Sequence, residues 1–470
     1  MTWGIPDDFG GMTNAMLHRS RAFVRLGGAL VDILTFDTRP DYPHLEAELR
    51  KQGQLIDGMR LVNLWDWLRQ NPLPGGSYKP LVHPFTPMEA TEPSKTRERN
   101  GVVLTRTRYA DDGTTVLQID HYRVDGTLLL SDRRDVTRRG SLGGRSVVLC
   151  DPTGAPVRSW RGIWQLYRAW LDALTGGEQS WMIVDSKTIA TFMLTYRRRS
   201  VVTAHVVHAS HLSGTERPHG TLRETRRAVF EQLDKYDVVV VLSERQRQDV
   251  EALLGKHKNV RVVPNSRDLP ELAADATPRT QNRGIFLGSL TARKRPEHAL
   301  RAIVASRNDG MSPATLDVYG TGELQGSAER LIAEAGAGEY IRLHGHDPHA
   351  RDRLAEASFL LMTSTSEGFP LVLVESLAAA CLPIVYDVPY GPADIVRDGW
   401  NGFLVPPGDE QALQAAVQRL LALPPAEIER MRTNARASAE RFDDDAVTRD
   451  WSSELRLAAK RKRRRPSLRR

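Results

Sequence analysis

Two carboxylates eight residues apart, Glu367 and Glu375, mark the stretch of this 470-residue chain best suited to chemistry. They lie in Thr363-Ser-Thr-Ser-Glu-Gly-Phe-Pro-Leu-Val-Leu-Val-Glu375, which continues into Ser376-Leu-Ala-Ala-Ala-Cys381. Ahead of them, Ser358-Phe-Leu-Leu-Met362 is an apolar run of buried-strand length. Behind, Pro370 and the Leu373/Leu377 and Val374/Ala378 spacings predict a helix that starts near Pro370. Glu367 and Gly368 then stand at the helix entrance. Backbone N–H groups and the positive end of the helix dipole point there, a natural seat for phosphate or sugar oxygens. Glu375 falls roughly one and a half turns beyond Pro370, so one carboxylate sits at the mouth and the other just inside. A capped helix with a solvated Glu375 is the plainer reading of the same residues. The strand before, Gly368-Phe369-Pro370 between, and a second strand at Pro383-Ile-Val-Tyr386 favour a site.

Other residues have suitable chemistry at comparable places. Gly10-Gly11 leads into a helix-like run from Ala15 to Leu26, and such a glycine pair lets backbone approach a phosphate. A strand should precede that loop, yet only Met1-Thr-Trp3 is there: either the strand is very short or the natural start lies upstream. Ser200-Val-Val-Thr-Ala-His205 reads as a strand and runs into Val206-Val-His208-Ala-Ser-His211. A histidine just past a strand's carboxyl end stands where doubly wound sheets bind ligands, which favours His208, with His211 second. Gly284-Ile-Phe-Leu-Gly288 leads to the basic loop Arg293-Lys294-Arg295, either an anion clamp or a solvated surface loop. Thr315-Leu-Asp-Val-Tyr-Gly-Thr-Gly322 and Ile341-Arg-Leu-His-Gly345 are strands that end in glycines (Gly320, Gly345) and place a cleft at their carboxyl ends.

The elements that must hold these residues alternate strand and helix, except in one region. From about Gly75 to Trp160 the strands Val102–Tyr109, Val116–Tyr122, Thr127–Leu130 and Ser146–Cys150 are separated by Asp112-Gly113, Asp125-Gly126 and Asp151-Pro-Thr-Gly154. That is the turn chemistry of an antiparallel insertion. Its arginines (Arg133, Arg134, Arg138, Arg139, Arg145) surround a glycine-rich stretch, either a polyanion-binding face or a solvated loop. The length predicts two or three domains. No apolar run approaches a membrane span, and two cysteines make no disulfide framework, which points to the cytoplasm. The eight basic residues between Lys460 and Arg470 account for the whole net charge of +7, so the body is near neutral. This tail is expected to be disordered and able to touch an anionic membrane or polymer, or to have no role. Phe442-Asp-Asp-Asp445 reads as the cap of a last helix through Leu455 rather than as a metal cluster.

The Glu-x7-Glu stretch resembles the signature of retaining, nucleotide-sugar-dependent GT-B glycosyltransferases. With its β-rich insertion the chain is similar to the poly(glycerol-phosphate) α-glucosyltransferase type that decorates teichoic acid, and to enzymes that glycosylate serine-rich adhesins. The resemblance implies an α/β fold of two Rossmann-like doubly wound domains with an antiparallel β insertion in the first. The implied organisation is 1–75 and 161–265 for the acceptor domain and 76–160 for the insertion, serving oligomerisation and acceptor binding. Residues 266–282 would be a linker, 283–440 the nucleotide-sugar domain, 441–459 a crossing helix and 460–470 the basic tail. By the same resemblance, Glu367, His208 and Lys294 carry catalysis. Gly10, Gly11, Arg293, Lys294, Gly320, His344, Gly345, Gly368, Phe369, Pro370, Leu371 and Glu375 bind the donor, Glu375 taking the ribose hydroxyls in a bidentate way. The family has an arginine where Ser289 stands, and Arg293 or Arg295 would replace its charge. No metal or cofactor is implied. The expected activity is hexosyl transfer, glucose from UDP-glucose to a teichoic polymer. N-acetylglucosamine transfer to a protein or lipid is the second expectation, and a polyanion-binding protein on a degenerate scaffold is a reading of another class. The expected partners are a nucleotide sugar and a polyanionic or glycan acceptor, with possible self-association and no nucleic acid.

Overall fold

Residues 1–79, 85–89, 91–138, 141–214, 216–269, 279–308 and 314–464 are described by the computed structural model. They divide into two units. One comprises Met1–Thr13, Phe23–Thr203 and the chain from Lys462; the other comprises Asn14–Ala22 and Ala204–Arg461.

The first unit takes in the elements α1 (Gly11–Gly27, whose middle turns count with the second unit), β1 (Val31–Thr35), α2 (Tyr42–Lys51), β2 (Met59–Asn63) and α3 (Leu64–Gln70). The antiparallel strands follow: β3 (Lys95–Arg99), β4 (Val102–Tyr109), β5 (Val116–Tyr122), β6 (Leu128–Arg138), β7 (Ser141–Cys150) and β8 (Pro156–Trp160). Then come α4 (Ile163–Thr175), β9 (Ser180–Val184) and α5 (Lys187–Met193). β1 and β2 pair in parallel from Val31↔Met59 to Thr35↔Asn63. Residues 1–3 take the place of a very short first strand: the Thr2 N–H donates to the Leu34 carbonyl (3.0 Å) and the Asp185 N–H to that of Met1 (3.0 Å). α1 begins at Gly11, four residues earlier than the apolar periodicity predicts, because helix entry needs backbone geometry and not an apolar face. Phe36, Tyr167, Trp170 and Phe192 meet edge-on in the core, with Phe36 5.0 Å from Tyr167 and 5.1 Å from Trp170.

Strands β3 to β8 pair in sequence order. Asp112, Asp125 and Asp151 close three of the hairpins by accepting from Thr115, Thr127 and Thr153, the local bonding that lets aspartate start a turn. The strands expected at Thr127–Leu130 and Ser146–Cys150 are parts of the longer β6 and β7, which absorb the glycine-rich stretch into a ladder (Val136↔Gly144, Thr137↔Leu142). Three of the five arginines there are paired with carboxylates. Arg145 binds Asp132 through two nitrogens (both 2.6 Å), Arg134 reaches the same carboxylate at 3.1 Å, and Arg133 binds Asp135 at 2.7 Å. Alternation puts aspartates beside them on the same sheet, a local relation the arginine count alone does not reveal. Arg139 and the Arg138 side chain lie outside the described residues.

The second unit opens within β10 (Val201–Val207), followed by α6 (Glu224–Phe230), β11 (Val238–Val241), α7 (Glu244–Leu254) and β12 (Val260–Val262). β10, β11 and β12 run parallel, and every residue of β10 and β11 is buried, as strands covered on both faces require. A second parallel sheet contains β13 (Arg283–Leu287), β14 (Thr315–Tyr319), β15 (Ile341–Gly345), β16 (Phe359–Met362), β17 (Leu382–Tyr386) and β18 (Phe403–Val405). Its helices are α8 (Pro296–Asn308), α9 (Gln325–Glu334), α10 (Leu371–Ala378), α11 (Pro392–Ile395), α12 (Glu410–Leu421), α13 (Pro425–Ala439) and α14 (Asp444–Arg464). The strand order is β15-β14-β13-β16-β17-β18. The order turns back at β13, so a crevice opens between the loops that leave β13 and β16. Those loops carry Lys294 and Glu367.

Asp444 is the first residue of α14 and lies 2.7 Å from the Nε2 of His18 on α1. Among the described residues no three His, Cys, Asp or Glu side chains gather as metal ligands. α14 does not stop near Leu455. It continues to Arg464, so residues 460–464 are helical rather than disordered, and basic side chains at that end suit the helix dipole. There Arg461 donates to the Lys258 carbonyl (3.0 Å) and the Lys462 ammonium to that of Val201. Residues 465–470 lie outside the described set. No described helix is long and apolar enough to cross a membrane.

Candidate active site

The loop between β16 and α10 is held from several sides. The Thr363 hydroxyl donates to the carbonyls of Lys294 (2.9 Å) and Arg295 (2.7 Å), and the Thr365 N–H donates to that of Arg293 (2.8 Å). The Glu367 N–H donates to the Pro389 carbonyl (3.1 Å) and its carbonyl accepts from the Tyr390 N–H (2.8 Å). Gly368 lies against the end of β10, where any Cβ would collide with the His208 carbonyl oxygen. Only glycine lets the two loops approach this closely. Pro370 caps α10, no side chain accepts from its first turn, and Leu371 begins the helix, as expected. The Phe369 ring is buried, edge-on to Phe442 at 5.5 Å.

Lys294 donates to Glu367 Oε1 at 2.7 Å, and Arg293 reaches the same oxygen at 3.1 Å. Burial pushes the Glu367 carboxyl up, but the two cations outweigh it and leave it below its ordinary value, so it is ionised near neutral pH. Arg293 thus faces Glu367, whereas the Arg295 side chain lies by Gly408. Glu375 is not solvated. Its Oε1 accepts from Arg267 Nε at 2.6 Å and lies 3.8 Å from Arg351, while Oε2 has no partner among the described residues. One oxygen is therefore open, and a grip through both would have to displace Arg267.

The glycine-ended strands support the opposite wall. A Cβ on Gly320 (φ 146°) would collide with the Gly288 carbonyl, and its N–H donates to the Gly345 carbonyl (2.7 Å). The His344 ring stacks on Tyr319 at 4.5 Å and its Nε2 lies 2.7 Å from Asp317. His344 is thereby pinned along the sheet, and the backbone around it remains the part able to face a ligand. His208 is half-buried next to Gly368. His211, the second histidine candidate, is instead buried between Phe230 (5.2 Å) and Tyr390 (5.9 Å), and burial pushes its pKa down to about 4. In the first unit, Gly10 caps α1 with no side-chain bond, and a Cβ at Gly10 or Gly11 would meet nothing within 4 Å.

Arg267, Arg351, Pro389 and Tyr390 complete the arrangement and were invisible in the sequence. Arg267 is 108 residues from Glu375 and lay in the expected linker, so no local spacing joins them.

The family described as "Glycosyl transferases group 1" matches residues 270–438, which include both loops. The match is to that stretch of the chain alone. The glycosyltransferase fold extends beyond it. A crystal structure of a Staphylococcus aureus TarM variant in complex with fondaparinux, alpha-GlcNAc-glycerol and UDP aligns with a TM-score of 0.71, covering 97% of this chain and 98% of that one at 17% identity. The fold is thus GT-B. Among curated proteins, an exopolysaccharide phosphotransferase of Streptomyces coelicolor is 32% identical over 46% of this chain and 23% of its own length. The GtfA subunit of a UDP-N-acetylglucosamine–peptide N-acetylglucosaminyltransferase of Streptococcus gordonii is 27% identical over 67% and 61%. A poly(glycerol-phosphate) alpha-glucosyltransferase of Bacillus subtilis is 21% identical over 89% and 69%. The chain thus spans less than two thirds of the first two relatives' lengths.

Proposed function

We propose that this protein is a retaining glycosyltransferase that moves a hexose, glucose, from UDP-glucose to a poly(glycerol-phosphate) or related teichoic acceptor. The observation that carries the reading is the pair of carboxylates at the topological switch of a parallel sheet, one held by Lys294 and the other with a free oxygen. In this reading Glu375 Oε2 takes a ribose hydroxyl, and the backbone at His344 and Gly345 borders the base. Glu367 and the Gly368–Phe369 amides hold the hexose beside His208. The donor diphosphate lies on Lys294 and Arg293. As the glycosidic bond breaks, negative charge grows on the departing diphosphate, and the lysine, which has only exchanged one anion for another, stabilises it without a divalent ion. The departing phosphate deprotonates the acceptor in a same-face displacement; double displacement through Glu367 is the rival course. The name of the B. subtilis relative supports a polyol-phosphate acceptor. The S. gordonii relative supports the second reading, N-acetylglucosamine transfer to protein. A cytoplasmic protein with its basic end near an anionic membrane completes the proposal.

Calorimetry with UDP, then a hydrolysis screen over UDP- and GDP-sugars, tests it. Binding of UDP and turnover of a UDP-hexose are expected, and failure of both would sink the reading. Removing residues 460–470 separates the polyanion-binding alternative, since an enzyme keeps its donor hydrolysis while a tail-driven binder loses its partner.

A further inference from the structure

The mouth of the site is fastened to a residue that the reaction does not use. Glu367 is bonded through both backbone groups to one peptide: its N–H goes to the Pro389 carbonyl and its carbonyl receives the Tyr390 N–H. Where Tyr390 sits therefore decides where Glu367 sits. The Tyr390 side chain is fully buried. Its hydroxyl donates to Asp249 Oδ2 of α7 at 2.7 Å. One partner of its ring is His211, nearly parallel at 16°; the other is the Arg217 guanidinium, 5.5 Å from the ring centroid.

Those partners are themselves fixed. Arg217 donates to the Ser210 hydroxyl (3.0 Å) and lies 3.9 Å from Asp249. Gln246 of α7 donates to the Ala209 carbonyl (3.1 Å). The segment from His208 to Arg217 is thus tied to α7, and Tyr390 is tied to both. The charged and titratable groups around the tyrosine are Asp249, Arg217 and His211, with Arg226 acting on the histidine. Among the described residues the ring nitrogens of His211 have no hydrogen-bond partner, so its contribution here is its stacking face.

We propose that Tyr390 is the positioning residue of the site: its hydroxyl bond to Asp249 and its stack on His211 hold the Glu367 backbone at a fixed place beside His208. Two tethers then meet at adjacent residues, the backbone clamp on Glu367 and the close contact of Gly368 with the His208 carbonyl. Tyr390 touches no substrate in this scheme. It acts through Glu367, and its kinetic consequence rests on the function proposed above.

The test has two arms on the full chain. In the first, hydrogen exchange of Tyr390→Phe is compared with wild type. Faster exchange, about tenfold, is expected over 364–368, with β13 and β14 unchanged. Unchanged protection at 364–368 overturns the proposal whatever the activity. In the second, Tyr390→Phe lowers the kcat for the UDP-sugar about tenfold and leaves UDP affinity within about twofold, since misplacing the sugar-side group costs rate before nucleotide binding. Equal losses in both would mean a generally loosened fold and overturn it. Asp249→Ala removes the acceptor and is expected to lower kcat as Tyr390→Phe does; a kcat within about twofold of wild type overturns the hydroxyl bond as the tether. A wild type that turns over no nucleotide sugar removes the proposed function, while the exchange arm still decides Tyr390.

Discussion

The crevice of the β13–β18 sheet and the β6–β7 hairpin both bring arginine or lysine against carboxylates, and they do it in opposite ways. In the hairpin, Asp132 takes Arg134 and Arg145, and Asp135 takes Arg133 and Arg108. The partners lie on one sheet, within a few residues, on neighbouring strands or, for Arg108 and Asp135, two strands apart. In the crevice, Lys294 meets Glu367 across 73 residues and Arg267 meets Glu375 across 108. There Lys294 and Glu367 sit on loops that leave strand ends, and Glu375 sits within α10. The difference shows that basic clustering in sequence is a poor guide to an anion site. A cation already neutralised by its strand neighbour has little left for a ligand, whereas one on a loop can exchange its carboxylate for a phosphate.

The comparison breaks most visibly at Lys294. Lys294→Ala is expected to lower donor turnover by about 100-fold or more, read by UDP release, and an unchanged rate would make the crevice pair as inert as the hairpin's. The same variant tests the charge balance on Glu367. A carboxyl held below its unfolded value stabilises the fold fully above about pH 4.3, and that gain is lost as pH falls through the folded value. With Lys294 gone, burial outweighs Arg293 and the carboxyl titrates higher, so the acid limb of the rate profile should move up.

Glu375→Gln should weaken UDP by about tenfold in calorimetry, since a charged hydrogen bond gives way to a neutral one. Equal binding would put the ribose elsewhere. On the other side of the comparison, Asp132→Ala should leave UDP affinity alone. It should cost the fold about 1–3 kcal/mol in denaturant melts, as two part-buried guanidiniums lose their acceptor. A fall in UDP affinity there would erase the contrast. Arg133→Ala is the smallest, under about 1 kcal/mol, because its partner Asp135 keeps Arg108.

The elements of the crevice were legible because their signals are local. The apolar runs at 316–319 and 359–362, the cap at Pro370 and the helix at 410–421 each read from a few neighbouring residues. Glu367, Gly368 and Lys294 could be placed at loop tips for that reason. What escaped depends on distance along the chain or on burial. Arg267 is remote from the glutamate it binds, and Tyr390 looks like an ordinary loop tyrosine until the fold buries it. His211 has the same spacing credentials as His208, yet three residues further on the chain has turned inward. The ion pairs of the insertion's arginines escaped for a related reason: counting them ignored which aspartates alternate beside them. The Asp-Gly turns gave the hairpins but not their lengths, because ladder pairing carried β6 and β7 past the apolar residues.

Nothing in the protein itself demands bare backbone at positions 10 and 11, where an added methyl group would project into open space. Alanine at the first helical residue should even firm the helix, by about 0.5–1 kcal/mol relative to glycine. Any penalty that Gly11→Ala imposes on nucleotide capture would then come from outside the polypeptide. Gly11→Ala thus serves as a caliper for whether any guest molecule comes near this backbone, with the host left undisturbed.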